Sequence, residues 1–322
     1  MIVYFKPVYG CNMRCSYCIV KNMEENKKTS LDFVLDLLSR YPDKTHVIFH
    51  GGEPTLKRPE YYKEIIISLK KRGFTFSMQT NLNIRNIEEW LEVFRELEYV
   101  STSNDVVNRE RKGMDEELWD KNVKFLLSRN IPVQVIITLH ARNVSHIDAM
   151  KKFIMRYADY RSLFSFRVNY IKPYLDRTTE LLIPPGSYAK VVIELDKFIR
   201  QKDLKVEFET IKSYAKALHQ DISTECNLTS LCFNEYTMID GEGRRFICSG
   251  LEELNISAPH TDRYFYLQQH DCKDCELFQH CQGGCVIDSI TFYNNAYKKT
   301  PYCEDHKLIF KYVKQLNIQQ SP

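Results

Sequence analysis

Strand-like and helix-like segments alternate over the first 170 residues or so, and this alternation is the strongest constraint on the fold. Residues 2–5, 47–49 and 133–138 are apolar runs rich in β-branched and aromatic side chains, and segments with helical spacing separate them. Strands that alternate with helices form a parallel α/β sheet or barrel. The pattern predicts six strand-helix units, with the remaining strands at residues 74–78, 99–102 and 164–168.

Three cysteines follow the first predicted strand. Cys11, Cys15 and Cys18 have the spacing CxxxCxxC. Three thiols on one tight loop can hold three corners of a cubane 4Fe-4S cluster and leave the fourth iron open to a substrate. The spacing alone also fits a structural zinc loop or an electron-transfer cluster.

A second motif, His50-Gly51-Gly52-Glu53-Pro54, follows the second predicted strand. Its glycines let a ligand approach bare backbone, and Glu53 can accept a charge-assisted hydrogen bond from an ammonium group. An open iron beside an ammonium-binding loop is what S-adenosylmethionine (SAM) requires. Its amino and carboxylate groups would occupy the open iron. Glu53 and the backbone of the two glycines would then hold the amine.

With both motifs in this order, the sequence resembles the radical SAM superfamily. The resemblance implies a partial (β/α)6 TIM-type barrel of the α/β class. It also implies that an electron from the cluster splits SAM into methionine and a 5'-deoxyadenosyl radical, which removes a hydrogen atom from a substrate. Tyr17 matches an aromatic position beside the cofactor, and residues 79–81 and 103–105 resemble the family's QTN and SxD segments. The residues expected to hold SAM are Tyr17, Gly51, Gly52, Glu53, Pro54, Gln79, Asn81 and Ser103.

Further polar side chains fall at the ends of predicted strands, where barrel folds build their sites. These are Asp105, Arg109, His140, Asn143, Arg167, Asn169 and Lys172. For each of them a turn or capping role competes with ligand contact. His140 is either a satisfied loop histidine or a proton carrier. Asp105, His140 and Glu235 are the candidates for acid-base work.

Eight more cysteines lie beyond residue 225: Cys226, Cys232, Cys248, Cys272, Cys275, Cys281, Cys285 and Cys303. The run from Cys272 to Cys285 could form a zinc ribbon. Eight thiols are also enough to ligate two cubane clusters fully, with none left over. The pattern resembles the SPASM extension of radical SAM enzymes. That resemblance implies one auxiliary cluster on Cys226, Cys232, Cys248 and Cys285, and another on Cys272, Cys275, Cys281 and Cys303.

These interpretations predict three parts: a radical SAM partial barrel at 1–180, a bridging helical segment at 181–225, and a SPASM domain with two auxiliary clusters at 226–322. The cofactors would be three 4Fe-4S clusters and SAM. A flavodoxin- or ferredoxin-type protein would act as the reductant.

The composition argues against some partners. Lys and Arg total 45 against 42 Asp and Glu, a net charge of +3, which is too balanced for a nucleic-acid or membrane surface. The first cysteine motif begins at residue 11, which leaves no room for a signal peptide, and no apolar stretch approaches 18 residues. We therefore expect a cytoplasmic protein, in which thiols serve metals or catalysis.

SPASM radical SAM enzymes mostly modify peptides and proteins, so the expected substrate is a precursor peptide or protein. We expect a maturase that forms a thioether or C-C crosslink in a ribosomally made peptide by net oxidation. The chain begins at the first strand of the barrel, so a separate leader-binding protein is a further possible partner.

Other activities stay open. The cysteine spacing and residues 50–56 are close to those of anaerobic sulfatase-maturing enzymes, which oxidise serine or cysteine to formylglycine. That group has an aspartate base after the cysteine matched by Cys248, where this chain has Ser249, and a neutral hydroxyl is a poor base. A peptide epimerase and a small-molecule dehydrogenase are alternatives, as is a non-catalytic metal protein that binds zinc or carries electrons.

Overall fold

The computed structural model describes residues 1–18, 30–107, 110–172, 176–220, 226, 228, 236–248, 250 and 260–316. The chain packs into two compact units. The first consists of Met1–Ser103, Asn108–Val135 and Tyr236–Glu252, and the second of Asn104–Val107, Ile136–Glu235 and Glu253–Pro322. These units group the chain by packing and do not follow the boundaries expected at residues 180 and 225, which stay predictions.

The first unit is built on a mostly parallel sheet. Its strands, in chain order, are β1 (Ile2–Val8), β3 (His46–Gly51), β4 (Thr75–Gln79), β5 (Val100–Ser103), β10 (Tyr236–Asp240) and β11 (Arg245–Phe246). Their order across the sheet is β11-β10-β1-β3-β4-β5. Only β11 is antiparallel to its neighbour. A second, two-stranded antiparallel sheet joins β2 (Arg14–Cys15) to β6 (Arg111–Lys112).

Apolar side chains cover one face of this sheet, and the side chains on the opposite face are largely buried or half-buried as well. Val3, Phe5, Val47 and Phe49 are fully buried, and Phe76 stacks on Phe49 with ring centroids 5.7 Å apart. Strands buried on both faces need near-continuous apolar runs, which is why these short segments could be recognised from the sequence. The predicted strands at 2–5, 47–49, 74–78 and 99–102 are confirmed to within a few residues.

The helices of the first unit are α1 (Leu31–Ser39), α2 (Pro59–Lys70), α3 (Leu91–Arg95) and α4 (Glu116–Ser128). Ser30 caps α1 by accepting a hydrogen bond from the Phe33 amide at 3.2 Å, as the sequence indicated. The sequence predicts that Asn86 caps the next helix, and Asn86 does occupy the N-cap position, but its side chain makes no capping hydrogen bond. Residues Ile87–Trp90 form a 3-10 helix before α3, and the Asn86 side chain donates to Glu89 instead of capping.

The strand β7 (Val133–Leu139) belongs to the second unit from Ile136 onward. The second unit also contains β8 (Phe164–Tyr170) and β9 (Glu207–Phe208), which pair in parallel. Its helices are α5 (Ile147–Arg156), α6 (Ser187–Gln201), α7 (Glu209–Gln220), α8 (His260–Gln269), α9 (Phe278–Cys281), α10 (Val286–Tyr293) and α11 (Cys303–Gln315). The predicted Ser145 cap of α5 is wrong, because His146 occupies the cap position and makes no capping bond.

Helices α6, α7 and α11 pack against one another in the second unit. Tyr214 of α7 meets Phe310 of α11 with ring centroids 4.9 Å apart. Asp305 of α11 accepts hydrogen bonds from the amides of Gly186 (2.7 Å) and Ala189 (2.8 Å), and so caps α6 from outside that helix. No helix among the described residues combines the length and the apolar character that a membrane span requires.

Candidate active site

The three thiols of the CxxxCxxC loop follow β1 in the first unit. Cys15 belongs to β2, which pairs with β6, and the Ser16 amide donates to the Glu110 carbonyl at 2.8 Å. The Cys18 amide donates to the Cys15 carbonyl at 3.2 Å, which closes a tight turn. Cys11 is exposed, while Cys15 and Cys18 are half-buried. The small sheet therefore fixes a loop that leaves its thiols accessible.

Neighbouring groups change the pKa of the Cys11 thiol. Burial of its sulfur raises its pKa, and the charges of Glu53 and Cys18 raise it further, while the Met13 amide and the Asn81 amide side chain lower it. The Met13 amide lies 3.4 Å from the sulfur and Asn81 Nδ2 lies 3.6 Å from it. Cys11 and Cys18 thus belong to one electrostatic neighbourhood, as two ligands of one cluster would.

Both glycines of the second motif are required by close backbone packing. Gly51 has φ +128°, and a Cβ there would lie 2.3 Å from the Val8 carbonyl oxygen. A Cβ on Gly52 would lie 2.1 Å from the Gly10 carbonyl oxygen. The amide of Gly52 donates to the Val8 carbonyl and that of Glu53 to the Gly10 carbonyl, both at 2.8 Å. The motif is therefore joined directly to the start of the cysteine loop.

Glu53 is fully buried, and protein donors already surround its carboxylate. Oε1 accepts hydrogen bonds from the Thr55 amide (3.0 Å), the Thr55 hydroxyl (2.6 Å) and the Thr80 hydroxyl (2.7 Å). Oε2 accepts one from the Asn81 amide at 2.7 Å. Burial raises the pKa of Glu53, and these four bonds oppose the rise. The side chain joins the loop after β3 to the loop after β4, and its expected contact with the SAM ammonium stays a prediction.

An asparagine network links three loops at the same end of the sheet. Asn81 Nδ2 donates to Asn12 Oδ1 at 2.6 Å, and Asn81 Oδ1 accepts from the Asn83 amide at 2.8 Å. Asn83 Nδ2 in turn donates to the Gly113 carbonyl at 3.0 Å, beside β6. Asn12 and Asn83 were missed by the sequence reasoning, although both are asparagines within or next to the motifs.

The remaining SAM-contact candidates of the first unit lie on the same loops. Gln79 ends β4 and hydrogen-bonds His50, whose pKa is lowered to about 4 by burial and by the charge of Lys6. Pro54 is buried and its carbonyl accepts from the Tyr62 hydroxyl at 2.6 Å. Tyr17 is half-buried beside Cys18, and Ser103 is half-buried at the end of β5.

In the second unit the structure brings two of the three acid-base candidates together. Asp105 Oδ2 lies 3.7 Å from His140 Nε2, and both side chains are fully buried. The Arg142 amide donates to His140 Nδ1 at 3.2 Å, and Nε2 is the ring nitrogen that faces Asp105. Asn143 connects the pair, since it donates to the Asp105 carbonyl (2.9 Å) and accepts from the His140 amide (2.8 Å). Glu235 lies outside the described residues.

The backbone after Asp105 is strained. Val106 has φ +64°, which is unfavourable for a β-branched residue, and the Val107 amide donates to the Asp105 carbonyl at 2.7 Å in a three-residue turn. The Asn104 side chain accepts from the Val106 amide at 2.7 Å and holds this turn. Strain of this kind persists only where the surroundings enforce it, and it is common at functional sites.

Lys172 is in a buried ion pair, whereas the sequence suggested an open barrel mouth. Its Nζ lies 3.0 and 3.2 Å from the two Asp288 oxygens. The hydroxyls of Tyr170 (2.8 Å) and Thr300 (3.0 Å) also donate to Asp288. Asn143 is buried, Arg167 and Asn169 are half-buried on β8, and Arg109 lies outside the described residues.

Four C-terminal thiols converge in the second unit. Cys272 and Cys275 lie in the turn after α8, Cys281 ends α9, and Cys303 begins α11. Burial and the charges of the other thiols in this group together raise the pKa of Cys272 to about 11 and that of Cys281 to about 12. These are the four ligands predicted for one auxiliary cluster. Binding iron would release their protons.

The other predicted auxiliary set is divided. Cys285 is buried at the N-terminus of α10, where the Ile287 and Asp288 amides donate to its sulfur and lower its pKa against the larger effect of burial. Cys226 is also in the second unit, and Cys248 is in the first. Cys232 lies outside the described residues. This ligand set therefore stays a prediction.

The thiols suit iron-sulfur clusters in their chemistry, since soft thiolates are the ligands that such clusters take. Within the described part of the chain, no three His, Cys, Asp or Glu side chains stand close enough to hold one metal ion. A cubane spreads its ligands over four irons, so its thiolates stand further apart than the ligands of a single ion. Glu53 is unsuited as a fourth ligand of the first loop, because four protein donors already occupy its carboxylate.

In the first unit, the CxxxCxxC loop, residues 50–54 and residues 79–83 all lie at or just after the ends of strands of the parallel sheet and are joined by hydrogen bonds. This arrangement is typical of a metal-cluster enzyme. The family model of the Radical SAM superfamily matches residues 5–154. Those residues are a radical SAM domain, and eight further cysteines follow them beyond residue 225.

Similarity to individual proteins extends over nearly the whole chain. A cysteine-type anaerobic sulfatase-maturating enzyme of Clostridium perfringens is 21% identical, over 94% of this chain and 93% of that protein. The solved structure of native anSMEcpe with bound AdoMet has a TM-score of 0.80 at 19% identity and covers 99% of this chain and 100% of that one. Streptococcus suis SuiB bound to precursor peptide SuiA has a TM-score of 0.67 at 15% identity and covers 94% of this chain and 75% of that one. The predicted α/β radical SAM fold is confirmed.

Proposed function

We propose that this radical SAM enzyme modifies a peptide or protein by net oxidation, and that the product is a thioether or C-C crosslink in a ribosomally made peptide. The observation that carries the proposal is the full-length likeness to two peptide-bound proteins. One is anSMEcpe, solved with AdoMet and the Cp18Cys peptide, and the other is SuiB, solved with precursor peptide SuiA.

Cys11, Cys15 and Cys18 would hold the first 4Fe-4S cluster with its fourth iron open to SAM. When bound, this pair of cofactors supplies a 5'-deoxyadenosyl radical that can take one hydrogen atom from the substrate. The chain itself would orient SAM through the backbone of Gly51 and Gly52. Asn81, bonded both to Cys11 and to Asn12, would fix the cysteine loop against the SAM loop.

A two-hydrogen oxidation leaves one electron and one proton after the hydrogen atom is removed. The C-terminal thiols would hold two auxiliary clusters that take the electron, which makes three clusters in all. Asp105 would take the proton. His140, whose Nε2 faces Asp105 and whose Nδ1 is engaged by the Arg142 amide, would position that carboxylate.

The acid-base roles can be tested by comparing Asp105→Asn with His140→Gln. We expect both variants to form 5'-deoxyadenosine, because neither residue is among those expected to hold the first cluster or SAM. Asp105→Asn should lower the product formed per 5'-deoxyadenosine by about 100-fold or more, the usual effect of losing a general base. His140→Gln should have a smaller effect. Ser145→Ala, at an exposed position of the turn that follows His140, should have no effect. Full product yield in Asp105→Asn would remove Asp105 from the mechanism.

A second candidate is oxidation of a serine or cysteine to formylglycine. The identity of 21% over 94% of the chain to a cysteine-type sulfatase-maturating enzyme favours it. Ser249, in place of that group's aspartate base, speaks against it. Epimerisation and small-molecule dehydrogenation share the same radical chemistry and differ in substrate.

Anaerobic turnover with SAM, dithionite and candidate peptides separates these activities. A crosslink makes the peptide lighter by two hydrogens, whereas epimerisation leaves its mass unchanged in ordinary water and adds deuterium in D2O. A sulfatase-derived cysteine peptide that gains an aldehyde would establish the second candidate. Reconstituted protein should contain about twelve irons, four per cubane. Zinc in place of iron would overturn the enzyme proposal.

Two partners belong to the same proposal. A flavodoxin- or ferredoxin-type protein would supply the electron that reduces the first cluster, and a separate protein could bind the leader of a precursor. Omitting each in turn from a reconstituted system measures its contribution to the rate of 5'-deoxyadenosine formation and to product yield.

A further inference from the structure

Arg263 of α8 is the largest buried cation in the C-terminal part of the second unit, and its side chain is fully buried. Its guanidinium donates six hydrogen bonds. Five go to backbone carbonyls, those of Ala296 (2.6 Å), Gln282 (3.4 Å), Gly283 (3.2 Å), Gly284 (3.2 Å) and Lys298 (2.8 Å). The sixth goes to the Ser289 hydroxyl at 3.0 Å. Every donor direction of the fork is therefore used.

Three of these carbonyls belong to one loop, residues 282–284, which we call the cysteine-bridging loop. It connects Cys281, assigned to one auxiliary set, to Cys285, assigned to the other. Its residues all have positive φ: +51° at Gln282, +80° at Gly283 and +75° at Gly284. The two glycines adopt such angles readily, whereas a left-handed Gln282 is unfavourable unless its surroundings hold it.

The loop serves the thiols directly. The Gly283 amide donates to the sulfur of Cys281 and lowers its pKa, and the Gly284 amide donates to the Cys281 carbonyl at 2.8 Å. A Cβ on Gly283 would lie 2.4 Å from Cδ1 of Leu267, so the close approach of α8 to the loop also depends on this glycine. Arg263 holds the carbonyl side of the loop while the amide side faces a sulfur.

All six acceptors of Arg263 are neutral, so within the described part of the chain no carboxylate is in direct contact with its charge. A buried charge without an opposite charge is costly. The groups that favour its charged form are Cys285, Cys272, Asp288 and Cys281, and burial opposes them by lowering its pKa. Asp288 is already paired with Lys172 at 3.0 Å. The opposite charge that Arg263 needs would therefore come from the thiolates that both auxiliary sets carry when they bind iron.

We propose that Arg263 is a positioning residue shared by the two auxiliary clusters: it fixes the cysteine-bridging loop between them, and its charge favours their reduced states. This inference rests on the proposed function. Each cluster gains one negative charge when it takes one electron from the oxidised substrate, and a nearby fixed cation stabilises that added charge. Net charge near a cluster is one of the factors that set its reduction potential.

The test is a redox titration of the reconstituted full chain, followed by electron paramagnetic resonance. Arg263→Gln removes the charge, and Arg263→Lys keeps it while losing the fork. We expect Arg263→Gln to shift the equilibrium of at least one auxiliary cluster toward the oxidised state tenfold or more, which is 59 mV for a one-electron couple. Arg263→Lys should stay close to the wild type in potential, although both variants should be less stable. The cluster on Cys11, Cys15 and Cys18 should be unchanged, and so should the exposed-lysine control Lys216→Gln.

A second pair of variants covers the case in which Arg263→Gln does not fold. Ser289→Asp would place a carboxylate against the guanidinium, whereas Ser289→Asn has nearly the same size and no charge. We expect only Ser289→Asp to lower the reduction potential of an auxiliary cluster, which favours its oxidised state. Equal potentials in both pairs, with about eight auxiliary irons present, would contradict the role of Arg263. Absence of auxiliary iron from the wild type would instead contradict the proposed function.

Discussion

Replacing Glu53 by glutamine tests how the glycine-rich motif works. The carboxylate of Glu53 accepts the Thr55 amide on one oxygen and the Asn81 amide on the other. Glutamine has only one oxygen, so either orientation of its side chain points an NH2 group at one of these backbone amides. The threonine hydroxyls can rotate to accept a hydrogen bond, but a backbone amide cannot. An unsatisfied buried donor costs about 1 to 3 kcal/mol, and we expect Glu53→Gln to lower the free energy of unfolding by this amount.

The effect should reach the cofactor site through the loop after β4. With the Asn81 amide released, the Asn81 side chain would hold Cys11 and Asn12 less firmly. Urea unfolding gives the stability, and SAM affinity measured on reconstituted protein gives the effect on the site. Glu88→Gln makes the same chemical change at an exposed position of the first unit and should stay within about 0.5 kcal/mol of the wild type.

A double-mutant cycle with Thr80→Val measures the coupling energy between the side chains of Glu53 and Thr80. The Thr80 hydroxyl lies 2.7 Å from Glu53 Oε1, and groups in direct contact show coupling energies of about 0.5 kcal/mol or more. Unchanged stability in Glu53→Gln, together with a large loss of SAM affinity, would refute this reasoning. It would mean that Glu53 acts chiefly on the ligand and not on the loops.

Four further substitutions test other parts of the structure. Cys15→Ala should abolish 5'-deoxyadenosine formation and remove about four irons, whereas Cys275→Ala should remove auxiliary iron and leave SAM cleavage in place, both measured by iron analysis and chromatography. Burial and the charge of Lys6 lower the pKa of His50 to about 4, so the unfolded chain takes up a proton first as the pH falls from about 6.5 to 4. Stability should fall over that range by up to about 1.4 kcal/mol per pH unit, and urea unfolding of His50→Gln should show a shallower slope. Gly52→Ala should destabilise the first unit and weaken SAM binding, because its Cβ would lie 2.1 Å from the Gly10 carbonyl oxygen, and normal SAM affinity in this variant would contradict the packing described.

The six strands and the position of the motifs behind them could be predicted from the sequence, because buried parallel strands leave short apolar runs that are easily recognised. Strand β10 forms an antiparallel hairpin with β11, which follows it closely in the chain. Its parallel pairing with β1, in which Ile2 lies beside Tyr236, joins residues far apart in the chain and has no local signal.

The roles of individual side chains were harder to predict. Glu53 was expected to face a ligand, but whether a carboxylate is exposed or surrounded depends on Thr80 and Asn81, which come from another loop. Arg263 could not be identified from the sequence, because it is a single arginine in a helix rich in aromatic residues. Most of its acceptors are backbone carbonyls, which leave no pattern in the sequence. The pairing of Asp105 with His140 likewise arises from the fold, since each alone resembles an ordinary loop residue.

The most direct test of the whole account is the fate of SAM on the reconstituted wild-type chain under anaerobic reduction. The account predicts that 5'-deoxyadenosine and methionine appear in equal amounts and that both disappear when Cys11, Cys15 or Cys18 is replaced by alanine. Intact SAM after incubation with a fully loaded, fully reduced protein would contradict it.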